Sequence, residues 1–134
     1  MQPTGATKTL LYFLGASFFL YGVYCFFDPA YLHDAAGVAG TTPTAVTEIR
    51  AMYGGLQRGF GLLLLAAARD SRLTLAGVAS LAFLVPGLAL TRLAGVAMGG
   101  GLSSYTIGAL VFEIGTSAIA VPMLRRHLFA ALER

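Results

Sequence analysis

The chain has 134 residues, of which 57% are hydrophobic and only 11% are charged. Soluble domains carry about 25% charged residues, so this composition excludes an ordinary soluble protein and favours one that lies in a membrane. The formal net charge is +3, but no basic run with interleaved aromatic residues is present, so nothing favours a nucleic-acid partner.

Four long apolar segments occupy most of the sequence. Each is close to the roughly 20 residues that a helix needs to cross a bilayer. The polar breaks between them predict one transmembrane domain over residues 1–134, with helices at about 9–27, 43–68, 73–93 and 104–124. Thr42 followed by Pro43 is typical of a helix start, and Ser103 or Ser104 can cap the fourth helix. The loop after the first helix is expected to hold a short surface helix around Ala30–Ala36.

The distribution of cations predicts the orientation in the membrane. Six of the nine basic residues belong to the N-terminus, the second loop and the C-terminus: Lys8, Arg69, Arg72, Arg125, Arg126 and Arg134. By the positive-inside rule, both termini are then cytoplasmic. The sequence therefore predicts an all-α, antiparallel four-helix transmembrane bundle, N-in and C-in. The first apolar segment is too long for a signal-peptide core and is expected to stay in the mature chain.

The second helix is predicted to have two unlike sides. At about 100° per residue, its large apolar residues share one arc: Ile49, Tyr53, Leu56, Phe60 and Leu63. We expect this arc to face lipid or a partner subunit. The opposite arc holds the charges, Gln57 and several glycines, and Gly55-x-x-x-Gly59 matches the pattern that lets helix backbones approach closely. Packing within the bundle is the preferred use of that pattern over dimerisation.

The fourth helix shows the same two-sidedness. Small and hydroxylated residues share the side of Glu113: Thr106, Ala109, Thr116, Ser117 and Ala120. Side chains of this kind are typical of a packed helix interface in lipid. The opposite side carries Ile107, Val111, Ile114 and Ala118, and is predicted to face lipid or a partner.

The candidate site is the set of polar residues within these apolar helices: Glu48, Arg50, Gln57, Arg58, Arg92 and Glu113. A lone charge at mid-bilayer costs at least about 2.5–3.5 kcal/mol, so the charged members are expected to pair. Matching their depths predicts Glu113 with Arg50 or Arg58, and Glu48 with Arg92 or Arg50. Arg58 is expected to be the deepest cation and Arg50 to be shared by both carboxylates. Two acids then face three cations, which leaves one positive charge.

Two interpretations of this cluster stay open at this stage. The preferred one is a structural ion-pair network that fixes how the helices align, with Arg92 reaching the outer surface. The other is a polar pocket in the outer half of the membrane, lined by Glu48, Arg50, Arg58, Arg92 and Glu113, whose surplus cation receives an anionic group.

The sequence shows no set of ligands for a metal or a cofactor, and no catalytic residues. Cys25 is the only cysteine and lies in an aromatic segment, where a small buried or lipid-facing side chain is expected. His33 and His127 lie in a loop and near the C-terminus, so no paired intramembrane histidines are present. We therefore expect no metal and no cofactor.

The segment Glu48-Ile-Arg-Ala-Met-Tyr-Gly-Gly-Leu-Gln, followed by Gly59 and Gly61, resembles the signature of bacterial membrane proteins classed as domain of unknown function 4345. The spacing to Arg92 and then to Glu113 is similar too. The resemblance covers nearly the whole chain and implies a four-helix integral membrane protein, distantly similar to the DoxX-like group. Arg58 stands where that pattern has an apolar residue. The resemblance implies a bacterial inner membrane and no particular activity.

Four functions are compatible with the sequence. The first is a non-catalytic accessory or scaffold subunit of a larger membrane complex, or of a homo-oligomer, surrounded by membrane lipids. The second is a binder or carrier of a small amphipathic or anionic molecule, such as a lipid, quinone or organic acid. The third is a proton-coupled transporter that uses Glu113. An enzyme ranks last, because no partner is readable for Glu48 or Glu113 as an acid or base.

Overall fold

The computed structural model describes residues 4–132 of the chain and the side chains of residues 4–129; the predicted cytoplasmic cation Arg134 lies outside them. Helices make up almost all of this range, and it contains no strand. The helices are α1 (Gly5–Phe27), α2 (Tyr31–Ala36), α3 (Pro43–Ile49), a π-helix (Arg50–Leu56), α4 (Gln57–Arg69), α5 (Thr74–Ala97) and α6 (Ser104–Leu132). The predicted all-α class is confirmed.

The helix starts follow the capping residues of the sequence. Thr42 Oγ1 accepts a hydrogen bond from the backbone N–H of Ala45 at 3.1 Å, with Pro43 at the first helical position. Ser103 Oγ accepts one from the N–H of Thr106 at 3.2 Å. Both predicted starts are confirmed, because each hydroxyl satisfies an N–H that lacks a partner in the first turn. The short helix predicted in the first loop is confirmed as α2.

Two helix ends lie beyond their predicted positions. α5 continues to Ala97, and the chain then turns at Gly99, whose φ of 98° lies in the left-handed region that glycine adopts without strain. The N–H of Gly100 reaches back to the carbonyl of Gly95 at 2.9 Å. α6 passes through Pro122 and ends at Leu132 rather than near residue 124.

Three of the helices are long and apolar enough to cross a membrane: Gly5–Phe27, Thr74–Ala97 and Ser104–Phe129. The second predicted crossing, residues 43–68, is not one continuous α-helix and is not among these three. Residues 43–69 are helical throughout, but α3, the π-helix and α4 follow one another in that range. The chain also divides at Thr74 and Leu75 into two compact units, called here the N-terminal unit and the C-terminal unit.

The N-terminal unit is built on close contact between α1 and residues 54–65. A Cβ added to Gly15 would lie 3.1 Å from the carbonyl oxygen of Gly61, and one added to Gly22 would lie 2.8 Å from that of Gly54. As α1 proceeds, its partner residues run backwards, so the two segments are antiparallel. Glycine at these four positions allows backbones to meet without side chains between them.

The glycines that make this contact differ from those predicted. Gly59 has nothing within 4 Å of its Cβ position, and Gly55 meets only the carbonyl of Arg50 at 3.9 Å. The predicted use of small residues within one packed unit is therefore right, but the assignment to Gly55 and Gly59 is wrong. Gly54 and Gly61 take that role, seven residues apart like Gly15 and Gly22.

The predicted lipid-facing arc of the second helix is largely wrong, and the π-helix accounts for the part of the error that lies after it. Ile49 is buried with Cys25 and Leu32, and Tyr53 packs against the same cluster. Phe60 contacts Phe18, with 4.7 Å between ring centroids. A π-helix bonds residue i to i+5, so it holds more residues per turn and rotates later positions away from a wheel drawn at 100°.

The C-terminal unit keeps the regular α-helical pattern. The predicted outward residues of α6, Ile107, Val111, Ile114 and Ala118, are all exposed. Glu113, Thr116 and Ala120 are buried on the other side. The predicted two sides of this helix are confirmed, because no break interrupts its 3.6-residue period between these positions.

Candidate functional site

An ion pair joins α5 to α6 within the C-terminal unit. Arg92 donates through Nε to Oε2 of Glu113 at 3.1 Å and through Nη2 to Oε1 at 2.7 Å. The Glu113 side chain is 7% exposed and that of Arg92 is 28% exposed. This bidentate contact engages both carboxylate oxygens and places the planar guanidinium against the planar carboxylate.

The surroundings of the pair come from the two helices that carry it. Arg92 continues the buried row of α5 that includes Leu81, Val85 and Ala89. On α6, Ser117 Oγ donates to the backbone carbonyl of Glu113 at 2.7 Å. A carboxylate among apolar side chains is stable only when paired and hydrogen-bonded, and Glu113 meets that condition through Arg92.

The predicted partners of Glu113 are wrong. Depth matching assigned Glu113 to Arg50 or Arg58, whereas its two oxygens are bound by Arg92. Arg92 was expected to reach the outer surface or to pair with Glu48. The spacing of the sequence gives the physical reason: a short loop joins α5 to α6, so residues a few positions from each side of that loop lie close together.

A second polar arrangement lies in the N-terminal unit, around Phe26 near the end of α1. Arg50 Nε donates to the backbone carbonyl of Phe26 at 3.2 Å. The last carbonyls of a helix lack partners within the helix and carry the negative end of its dipole. The Arg50 cation therefore caps α1 from another segment, and the Arg50 side chain is exposed there.

Arg58 contacts the same residue from the other side. Its Cζ lies 4.3 Å from the centroid of the Phe26 ring, and its Nε donates to the carbonyl of Gly54 at 3.2 Å. Gly22 makes room for the stem of Arg58, since a Cβ there would lie 2.9 Å from Arg58 Cγ. The half-buried Arg58 is thus held by a carbonyl and an aromatic face, both of which stabilise a cation.

The two arginines differ from Arg92 in the kind of partner that holds them. Among the described residues, neither Arg50 nor Arg58 takes part in an ion pair. Each makes its hydrogen bond through Nε, so the structure describes no acceptor for the Nη groups of either one. We call Arg50, Arg58 and Phe26 the Phe26 site. Its charge is positive, and each of its two cations donates a hydrogen bond to one backbone carbonyl.

Two predicted site residues are not drawn into these contacts. Glu48 is exposed, and the ion pairs of the described residues do not include it, so its predicted pairing with Arg92 or Arg50 is not confirmed. Gln57 is half-buried, and its amide makes no hydrogen bond in the described part of the chain. Of the six predicted residues, Glu48, Arg50, Gln57 and Arg58 belong to the N-terminal unit, and Arg92 and Glu113 to the C-terminal unit.

Comparison with known families identifies the chain at the level of a family. The family described as a domain of unknown function (DUF4345) matches residues 6–124, which is most of the chain. The chain belongs to this family. No curated protein and no solved structure matches it. The DUF4345 span contains both the Phe26 site and the Arg92–Glu113 pair, so the six predicted site residues all lie within the matched region.

The sequence pointed to the arginines of this DUF4345 chain but missed Phe26 and the π-helix. Phe26 looks like any apolar residue of α1, and its role depends on its carbonyl as much as on its ring. The shared seven-residue spacing of Gly15 and Gly22, and of Gly54 and Gly61, was the available signal for close packing of these segments. In the described residues, no group of three or more His, Cys, Asp or Glu is arranged to hold a metal.

Proposed function

We propose that this protein binds an anionic amphipathic molecule in the membrane, through the guanidinium groups of Arg50 and Arg58. The observation that supports this most is that two cations contact one residue without a described carboxylate, while the third arginine of the cluster is neutralised by Glu113. Cationic side chains close to a membrane surface attract the anionic headgroups of lipids.

The anchoring of the two arginines supports binding rather than structure alone. Arg50 and Arg58 are each fixed by one backbone carbonyl, so much of the entropy cost of ordering these long side chains is met before binding. The π-helix that lies between them supports the same reading, because π-helices are rare and frequently found at functional sites.

The proposed membrane arrangement is the four-helix antiparallel bundle, N-in and C-in, in a bacterial inner membrane. α1, α5 and α6 have the length of spanning helices. Residues 43–69 run antiparallel to α1 from the Gly15–Gly61 contact to the Phe26–Gly54 contact, which supports a fourth crossing beside it. With this orientation, the Phe26 site lies at the outer end of α1, near the level of lipid headgroups.

The proposal is tested with purified protein in a zwitterionic detergent. Oleic acid, phosphatidylglycerol and phosphatidic acid are added separately, and the unfolding temperature is measured. A ligand that binds only the folded state at 100 times its Kd stabilises it by about 2.7 kcal/mol. We expect this gain for the wild type and its loss in the double variant Arg50→Gln/Arg58→Gln.

The matched control is Arg69→Gln/Arg72→Gln, which removes two cations at the other end of α4. Arg69 lies over the ring of Tyr12 and Arg72 pairs with Asp70, both away from Phe26. This control is expected to keep the stabilisation. If no anionic amphiphile stabilises the wild type, or if both double variants respond alike, the proposed function is wrong.

An accessory or scaffold role in a larger membrane complex is the second proposal. It is favoured by the exposed row of Ile107, Val111 and Ile114 on α6, which offers an apolar face to a partner helix. Isolation from membranes in a mild detergent tests it. Co-purification of stoichiometric partner subunits supports this role, and a protein that always migrates alone argues against it.

A further inference from the structure

We infer that the ligand of the Phe26 site is a lipid with a phosphate monoester as its headgroup. This rests on the proposed function and narrows it to one ligand class. The inference follows from which donors of the arginines are already in use, from their combined charge and from the apolar surface beside them.

Arg92 shows how this chain binds a carboxylate. It uses the edge formed by Nε and Nη2, so that two parallel N–H bonds meet the two oxygens of Glu113. In the Phe26 site that edge is closed, because Nε of Arg50 is bonded to the carbonyl of Phe26 and Nε of Arg58 to that of Gly54. A carboxylate ligand would have to bind in the less favourable end-on manner.

The donors that remain are the Nη amino groups of two guanidinium groups. Both groups contact Phe26, one at its carbonyl at 3.2 Å and the other over its ring at 4.3 Å. A carboxylate can reach both with its two oxygens, but it then has no third oxygen for the remaining Nη groups. A phosphate monoester presents three strong acceptor oxygens, whereas the diester of most phospholipids presents two unesterified ones.

The charges agree with this assignment. Arg50 and Arg58 contribute two positive charges, and Glu48 lies two positions from Arg50, a spacing that places side chains on different faces of a helix. A phosphate monoester carries about −1.5 to −2 charges near pH 7, so it neutralises both cations. A diester or a carboxylate carries a single negative charge and leaves one cation unbalanced.

The surface beside the site suits an acyl chain. Met52, Leu56 and Leu62 are exposed on the same segment as the two arginines. Gly59 lies between Leu56 and Leu62 and is exposed, with nothing within 4 Å of its Cβ position. A chain attached to the phosphate can therefore follow an apolar row that no described residue covers.

The test compares four probes on the full-length protein in a zwitterionic detergent: phosphatidic acid, phosphatidylglycerol with the same acyl chains, oleic acid and glycerol 3-phosphate. Binding is followed by native mass spectrometry over a concentration series. We expect phosphatidic acid to bind about tenfold more tightly than phosphatidylglycerol or oleic acid, the difference that one more charge-assisted hydrogen bond makes. Glycerol 3-phosphate should bind far more weakly, since it lacks the acyl chain.

The variants Arg50→Lys and Arg58→Lys sharpen the test because they keep the charge and lose the planar donors. Both should still bind anionic lipids but lose the preference for phosphatidic acid. Equal affinities for the three lipids, lost together in Arg50→Gln/Arg58→Gln, would overturn the monoester inference and leave the proposed function standing. Glycerol 3-phosphate binding as tightly as phosphatidic acid would overturn the lipid assignment. No binding by any probe would overturn both proposals.

Discussion

The candidate arginines of the two units are held by different kinds of partner. In the C-terminal unit, Arg92 and Glu113 form a closed pair in which both carboxylate oxygens are used. In the N-terminal unit, Arg50 and Arg58 are held by backbone carbonyls and by the ring of Phe26. The pair uses both carboxylate oxygens of Glu113, whereas Arg50 and Arg58 take part in no ion pair among the described residues. This difference is the basis of the binding role proposed above for the N-terminal unit.

The largest loss of stability is expected from breaking the Arg92–Glu113 pair. Glu113→Gln leaves the Arg92 cation without its partner, and removing one member of a buried pair typically costs about 3–5 kcal/mol. Unfolding in detergent measures the loss. Adding Arg92→Gln should recover part of it, and the double-mutant cycle gives the coupling. The control is Glu48→Gln, an exposed carboxylate that should change little. Single changes that are silent, or that simply add, would show that the pair contributes nothing.

The next largest loss of stability is expected at Gly22, which packs against Arg58. Gly22→Ala places a Cβ 2.7 Å from the backbone nitrogen of Arg58 and 2.8 Å from the Gly54 carbonyl oxygen, so the two segments must move apart. Overpacking of this kind costs about 1–3 kcal/mol. Gly59→Ala is the matched control, because its Cβ meets nothing and alanine favours a helix by about 1 kcal/mol. The same unfolding assay should rank Gly59→Ala as neutral or stabilising. The reverse order would contradict the described packing.

A smaller effect on stability is expected from the contact between the Arg58 guanidinium and the Phe26 ring. Phe26→Leu keeps an apolar side chain but removes the π face from Arg58. A cation–π contact contributes about 0.5–2 kcal/mol, so a cycle of Phe26→Leu with Arg58→Gln should give a coupling in that range. A coupling near zero would mean that the ring does not stabilise the guanidinium. The same cycle with Arg69→Gln in place of Arg58→Gln should give none.

The smallest effect on stability is expected at Arg50. Its side chain is exposed, so its capping hydrogen bond to the Phe26 carbonyl competes with water, and its loss should cost about 0.5–1 kcal/mol. Arg50→Gln should therefore be only slightly less stable than the wild type while binding anionic lipid less tightly. A loss of stability as large as that of Glu113→Gln would place Arg50 among the structural arginines and remove the contrast between the two units.

The sequence predicted α6 well and residues 43–69 poorly, although the same reasoning was used for both. On α6 the wheel places Ile107 and Val111 outside and Glu113 inside, as found. On the other segment it places Ile49 and Phe60 outside, whereas Ile49 is buried and Phe60 packs on Phe18. The π-helix rotates Phe60 away from its wheel position and leaves no mark in hydropathy. Ile49 precedes the π-helix and is buried because it packs against Cys25 and Leu32.

The charged residues of the candidate site were predictable, but Phe26 and the partners of the arginines were not. Charged residues in apolar helices are easily recognised in a sequence, because burying a charge in a membrane costs free energy. Which charges meet depends on rotation and depth, and errors in both add up between helices. A cation can also be satisfied by a backbone carbonyl, as Arg50 is by Phe26, and every residue offers one. No residue type indicates such a partner.

The reactivity of Cys25 can report how often α2 and α3 separate from α1. It is the only cysteine of the chain, it is fully buried, and it packs against Leu32 of α2 and Ile49 of α3. A thiol reagent can reach it only when these short helices part from α1, so the rate of labelling counts those openings. Arg50 lies next to Ile49 and bonds to the residue after Cys25. Binding of an anion at Arg50 should therefore slow the labelling of the Cys25 thiol, which can be measured on the native protein without an engineered probe.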